Sequence, residues 1–92
     1  MPNYKRKRDA VEREIIDGLV ALGCFVIQEN NIDLYVKPPH RAEWIPLEVK
    51  GARGKLTTYQ KNLHATLEHN YGYTIPIVTT LQDAIDAIGL KT

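Results

Sequence analysis

The sequence predicts an α/β fold in which a mixed four-stranded sheet is flanked by helices, in the order α-β-β-β-α-β-α. Two kinds of periodicity lead to this prediction. Some segments carry apolar residues at helical spacing, and others alternate apolar with polar residues as strands do. Gly and Pro residues mark several of the boundaries between them. The 92 residues suit one domain, residues 1–92, of which residues 1–8 form a basic tail.

The first half of the chain is predicted to form a helix and three strands. Residues 9–12 have the pattern of a capping box, and the helix runs from there to about Leu22, where Gly23 ends it. The strands that follow are expected at 24–28, 32–37 and 44–50, separated by a turn at 29–31 and a loop at 38–41. The apolar stripe of the helix consists of Val11, Ile15, Leu19 and Leu22.

The second half begins with a helix that starts at a second capping signature, Thr57 to Gln60, and runs to about His69. Its apolar stripe, expected to face the sheet, consists of Tyr59, Leu63 and Leu67. A fourth strand is predicted at 73–78, with Pro76 indicating a sheet edge or a bulge. A short final helix over 80–88 ends at Gly89.

Composition is typical of a globular protein, with 43% hydrophobic and 25% charged residues. No apolar run approaches the length of a membrane span, and no apolar segment directly follows the basic N-terminus, so neither a membrane nor a secretory signal is expected. The single cysteine, Cys24, excludes an internal disulfide and fits a reducing compartment. We therefore expect a cytoplasmic protein in which Cys24 is a buried thiol.

Residues 32–50, IDLYVKPPHRAEWIPLEVK, carry the most informative ionisable groups. Asp33 lies on one predicted strand, and Glu48 and Lys50 lie on the next. Because side chains alternate along a strand, Glu48 and Lys50 point to the same side of the sheet. Taken alone, Glu48 and Lys50 fit a structural salt bridge as well as a catalytic pair. Asp33 on the neighbouring strand favours a metal site, because buried acids need a cation or another partner. A metal ion bound there can activate a water molecule to attack a phosphodiester bond.

These residues resemble the PD-(D/E)xK nuclease superfamily and, more closely, its VRR-NUC family. The resemblance covers about Ala10 to Val78 and is carried by the three segments Ile32–Val36, Leu47–Gly51 and Lys55–Gln60. The opening helix is similar to the first helix of archaeal Holliday junction resolvases. Ile32 stands where the superfamily's name has a proline.

The resemblance implies a restriction-endonuclease-like fold and a DNA endonuclease that uses Mg²⁺ or Mn²⁺ without a small-molecule cofactor. It implies action on branched DNA such as four-way junctions, and a phage or bacterial host cell. A homodimer is expected as well. One chain carries one candidate metal centre and cuts one strand, whereas resolving a junction needs two matched cuts related by a two-fold axis.

Roles for the site residues follow from charge and from the resemblance. Asp33 and Glu48 would bind the metal through carboxylate oxygens, and the resemblance adds the backbone carbonyl of Val49. Lys50 would position water or stabilise developing negative charge. The resemblance also brings Glu12 and Gln60 near the metal. Each has a second interpretation as a helix-capping residue, and Glu14 is the less favoured alternative to Glu12.

Net charge is only +1, but two basic clusters stand out. Alone, the N-terminal cluster is best explained as a solvated tail. Beside a nuclease-like site, phosphate binding is the better interpretation for both clusters. They consist of Lys5, Arg6, Lys7 and Arg8, and of Arg53 with Lys55.

Two other functions compete with an endonuclease. A non-catalytic nucleic-acid-binding domain would have no need to keep Asp33, Glu48 and Lys50 together. A small structural protein would form surface pairs from its acids and would not bind Mn²⁺ stoichiometrically. The three histidines lack the spacing of a zinc site. Trp44 is expected in the core and not as a base-stacking platform. Tyr35 is expected to pack, with a phosphate contact as the alternative. His40 and Arg41 are expected in an exposed loop, with contact to a nucleic-acid backbone as the less favoured alternative.

Overall fold

The computed structural model describes residues 10–29, 32–51 and 55–90. Its elements follow the predicted order, which confirms the α/β class. The helices are α1 (Ala10–Ala21), α2 (Thr58–Tyr71) and α3 (Leu81–Ile88). The strands are β1 (Phe25–Gln28), β2 (Leu34–Lys37), β3 (Ile45–Val49) and β4 (Ile77–Val78). None of the described helices combines the length and the apolar character that a membrane crossing requires.

The four strands form one mixed sheet in the order β1-β2-β3-β4. The pairs β1–β2 and β2–β3 are antiparallel, whereas β3 and β4 run parallel. A parallel pair needs a crossover connection, and α2 lies within that connection. Strand β3 is therefore paired on both edges, with Leu34 opposite Leu47 and Glu48 opposite Ile77.

The hydrophobic core lies between one side of the sheet and the helices α1 and α3. Cys24 is buried in this core, as predicted, and burial raises the pKa of its thiol while Lys37 acts in the opposite direction. Helices α1 and α3 approach closely because Gly18 has no side chain: a Cβ there would lie 2.4 Å from Cδ2 of Leu81. The core residues are Ile15, Leu19, Cys24, Leu34, Val36, Ile45, Leu47, Val49, Val78, Ala84, Ile85 and Ile88.

Strand β2 begins at Leu34 and not at residue 32 as predicted, so Asp33 lies just before the strand. The reason is that the carboxylate of Asp33 takes the place of a backbone carbonyl in the strand pairing. The N–H of Val49 donates to Oδ2 of Asp33 at 2.8 Å, at the position where the ladder would otherwise continue. The Asp33 carbonyl still accepts the Glu29 N–H at 2.9 Å, which keeps Asp33 attached to the end of β1.

Strand β4 is much shorter than the predicted strand over 73–78. Helix α2 continues to Tyr71 and ends at Gly72, which has a left-handed φ of 64°. Tyr73 belongs to this helix end, because its N–H donates to the Leu67 carbonyl at 3.1 Å. Pro76 has no N–H to donate, although its carbonyl accepts the Glu48 N–H at 2.9 Å.

Two predictions about packing are wrong, one of them in part. Of the stripe Tyr59, Leu63 and Leu67, Tyr59 is 59% exposed, whereas Leu63 and Leu67 are half-buried beside the buried Gln60. Helix α2 covers a polar part of the sheet, so polar side chains face inward. Trp44 is not in the core either. It is 43% exposed and packs edge-on against Phe25, with ring centroids 5.9 Å apart.

Candidate active site

The centre of the site is Glu48, which lies in the central strand β3 and is fully buried. Its neighbours Leu47 and Val49 point into the core, so strand alternation directs Glu48 to the opposite side of the sheet. Helix α2 covers this side through Gln60 and His64. A carboxylate in such a place is costly unless polar or charged partners surround it.

Gln60, Lys50 and His64 contact the Glu48 carboxylate on that side. The side-chain amide of Gln60 donates to Oε2 at 2.8 Å, and the Lys50 ammonium lies 3.9 Å from the same oxygen. Nε2 of His64 lies 3.3 Å from Oε1, so both carboxylate oxygens are in contact with a partner. The structure therefore brings together three of the predicted site residues, Glu48, Lys50 and Gln60.

Gln60 combines the two interpretations that the sequence left open. Its Oε1 accepts the N–H of Thr57 at 3.0 Å, while Oγ1 of Thr57 accepts the N–H of Gln60 at 3.1 Å, which completes a capping box. Its Nε2 simultaneously donates to Glu48. The cap orients the Gln60 side chain, so the start of α2 positions a partner for the buried acid.

His64 is a site residue that the sequence analysis did not find. It lies one helical turn after Gln60, and residues four apart share a face of a helix. That spacing is the signal that would have found it. Burial lowers the pKa of His64, and the nearby Lys50 ammonium acts in the same direction. A neutral imidazole has one N–H to donate, and with that proton on Nε2 it can hold Oε1 of Glu48.

Asp33 lies beside Glu48 at the other edge of β3 and is 2% exposed. Its Oδ2 accepts the Val49 N–H, whereas the Glu48 N–H points the opposite way, to β4. The N–H and the carbonyl of one strand residue leave the strand on the same side. The Val49 carbonyl therefore points to the edge on which Asp33 lies.

Glu12 lies on the inward face of α1 and is 4% exposed, whereas Glu14 is exposed. Of the two candidate acids, Glu12 is therefore the buried one. Asp9, the proposed capping partner of Glu12, lies outside the described residues. Tyr35, expected to pack, is half-buried.

The predicted DNA-binding residues fall mostly outside the described residues, which include neither Lys5 to Arg8 nor Arg53. Lys55 is described and is exposed. Arg41 has a structural role: its guanidinium donates to the Ile88 carbonyl at 3.1 Å and lies 3.5 Å from Glu43. It caps the C-terminal end of α3, where a cation is favourable.

The donors at this site fit a hard divalent cation in type, since they are carboxylate and carbonyl oxygens. Among residues 10–29, 32–51 and 55–90, no group of three or more His, Cys, Asp or Glu side chains is placed to hold an ion. Mg²⁺ does not require such a group, because it is usually bound by one or two carboxylates and keeps several waters. Asp33 and Glu48 are two buried carboxylates on neighbouring segments.

A solved structure described as a VRR_NUC domain is similar to this chain. The two superpose with a TM-score of 0.63 at 22% sequence identity, over 86% of this chain and 90% of the other. The chain has the fold of a VRR-NUC domain. The predicted resemblance is thus confirmed for the fold. Comparisons of the sequence with protein-family models and with curated proteins give no match.

Proposed function

We propose that this chain is a VRR-NUC nuclease: a metal-dependent DNA endonuclease that hydrolyses phosphodiester bonds, with a preference for branched DNA such as four-way junctions. The observation that carries the proposal is the environment of Glu48. A fully buried acid at the end of a central strand, with an amide, an imidazole and an ammonium around it, is an expensive arrangement for a purely structural role. The VRR-NUC fold supports the same function.

Asp33, Glu48 and the Val49 carbonyl are the groups that would bind Mg²⁺ or Mn²⁺, and the buried Glu12 is a further candidate acid. The bound ion would lower the pKa of a water molecule and neutralise charge on the phosphate. Gln60 and His64 would hold the Glu48 carboxylate in a fixed orientation, which is the usual contribution of residues behind a metal ligand.

Lys50 would act on the phosphate itself. Its ammonium lies on the same side of the sheet as Glu48, and its side chain is 20% exposed, so it reaches the surface at the site. A positive charge there stabilises the negative charge that develops on the phosphate oxygens during attack. Lys5, Arg6, Lys7, Arg8, Arg53 and Lys55 would contact the DNA backbone and supply affinity that does not depend on sequence.

A homodimer completes the proposal. Two protomers related by a two-fold axis would present two Glu48 sites and could cut opposing strands of one junction. A 92-residue domain also has a thin core and gains from burying apolar surface between protomers.

A cleavage assay tests the proposal. Four-way junctions, flaps and linear duplexes are incubated with Mg²⁺ or Mn²⁺, using wild-type protein and Glu48→Ala. We expect metal-dependent cleavage by the wild type, strongest on branched DNA, and none by the variant. Binding without cleavage by the wild type under all these conditions would instead favour the non-catalytic nucleic-acid-binding domain.

A further inference from the structure

The side of the sheet that carries Glu48 is covered unevenly. Helix α2 covers the end near Glu48, whereas the β1 end carries large exposed side chains: Phe25 is 63% exposed, and Ile27 and Trp44 are each 43% exposed. Strand register places Phe25 and Ile27 on the Glu48 side, since Phe25 pairs with Lys37 and Ile27 with Tyr35, while Val26 pairs with the core residue Val36. Trp44 lies just before β3 and packs against Phe25. We call Phe25, Ile27 and Trp44 the aromatic face.

The aromatic face is continuous with the candidate active site. Tyr35 pairs with Pro46 in β3, and Glu48 follows two residues later on the same side. Trp44 and Glu48 are four residues apart, about 13 Å along an extended strand. That distance corresponds to about four stacked nucleotides at 3.4 Å each. A DNA strand that ran from Glu48 along β3 toward Trp44 would reach the aromatic face within about four nucleotides.

We propose that the aromatic face is a stacking platform for unpaired bases of the DNA strand next to the cleaved bond. Phe25 and Trp44 offer ring surfaces to solvent, and Lys37 pairs with Phe25 in the strand register. The Lys37 ammonium donates one N–H to the Pro38 carbonyl and has two others for a phosphate, so base stacking and phosphate contact are available together. The inference rests on the proposed function and narrows its substrate to branched DNA with a single-stranded arm.

A second copy of this chain is a poorer occupant of the aromatic face. An aromatic side chain buries 150–250 Å² in full, so the exposed parts of Phe25, Ile27 and Trp44 supply roughly 300 Å². A stable interface needs about 800 Å² per partner. A copy placed here would have to bury much surface beyond the aromatic face, and toward β3 that surface includes the half-buried Lys50 of the candidate site. The proposed dimer contact therefore lies on another surface.

Trp44 is the only tryptophan in the sequence, which makes fluorescence a direct probe of the aromatic face. The 92-residue chain in EDTA is titrated with a thymidine oligomer, and separately with a DNA hairpin of the same number of nucleotides whose two strands are joined by a non-nucleotide linker, so that every base is paired. We expect saturable quenching of Trp44 fluorescence by the oligomer and little change with the hairpin, since paired bases are not free to stack on the rings.

Phe25→Leu tests the stacking directly, because it removes a ring but keeps an apolar side chain and leaves Trp44 as the reporter. We expect the affinity for the oligomer to fall about tenfold, the usual order for loss of one base–aromatic stack. Tyr71→Leu is the matched control: Tyr71 is an exposed aromatic residue on α2, outside the aromatic face, and its loss should leave the affinity unchanged.

Four results would each overturn the proposal. Two concern the wild type: no quenching by the oligomer, or equal quenching by the hairpin. Two concern Phe25→Leu: unchanged affinity for the oligomer, or conversion of a dimer to a monomer, which would make the aromatic face a contact between copies. The proposed function fails separately. Quenching by a wild type that cleaves no DNA would refute the nuclease and keep the platform, whereas cleavage without quenching would refute the platform alone.

Discussion

Gln60 allows a quantitative test of the site, because its side chain makes one bond for the helix cap and another for Glu48. Thr57→Ala and Gln60→Ala each remove one half of the capping box. Loss of a cap bond costs about 1 kcal/mol. Gln60→Ala also removes a bond to a buried carboxylate, and a hydrogen bond to a charged group contributes about 1.5–3 kcal/mol. We expect Thr57→Ala to lower the free energy of unfolding by about 1 kcal/mol and Gln60→Ala by about 2.5–4 kcal/mol.

The free energies are measured by urea denaturation followed by circular dichroism, with EDTA present so that no metal contributes. The denaturant slope should be the same for wild type and both variants, which would show that the variants change stability and not the extent of unfolding.

A double-mutant cycle identifies the origin of the difference. In a Glu48→Leu background the acceptor of the Gln60 amide is gone, so Gln60→Ala should cost about 1 kcal/mol or less. The reasoning is refuted if Gln60→Ala costs no more than Thr57→Ala in the wild-type background. It is equally refuted if the excess cost persists in the Glu48→Leu background, since Gln60 would then stabilise something other than Glu48.

Four further predictions concern activity, binding, pH and assembly. Glu48→Ala and Lys50→Ala should each abolish cleavage while circular dichroism shows an intact fold. Calorimetry with Mn²⁺ should show that Glu48→Ala loses metal binding and Lys50→Ala retains it. Near-normal cutting by either folded variant would contradict the assignment. Neutralising Lys5 to Arg8 should weaken DNA binding about equally for all sequences and flatten its salt dependence, and unchanged affinity at low salt would show that the tail is only solvated. The backbone N–H groups of Thr79 and Thr80 lower the pKa of Asp83, so its stabilising contribution is present above the ordinary carboxyl pKa and is lost as pH falls through the lowered one. Thermal melts of Asp83→Asn from pH 7 to pH 2 should show a weaker loss of stability in acid than melts of the wild type, and parallel curves would count against this effect. Light scattering at micromolar concentration should give the mass of a dimer, and a monomer mass would remove the basis for paired cutting of a junction.

The sequence predicted helices more accurately than the weak fourth strand. Helix α3 was placed to within one residue because its signals are local: Thr80 caps its start, and Gly89 ends it with a left-handed φ of 71°. Residues 73–76 have the composition of a strand, but the end of α2 takes Tyr73, and Pro76 has no N–H for a ladder. Whether residues 73–76 join the end of α2 or the fourth strand depends on where α2 ends, and composition alone does not reveal that position.

The site shows where hydrophobic periodicity misleads. Alternation was sufficient to place Glu48 and Lys50 on one side of β3, because their apolar neighbours must face the core. The same reasoning failed in part for α2: Leu63 and Leu67 are half-buried, but Tyr59 is exposed, and the residues that contact Glu48 are the polar Gln60 and His64. A helix above a buried charge has to supply donors, and the donors recur at the same spacing of four residues as an apolar stripe would. His64 was therefore predictable from Gln60 once Glu48 was recognised as a buried acid in need of partners, but not from the stripe of Tyr59, Leu63 and Leu67.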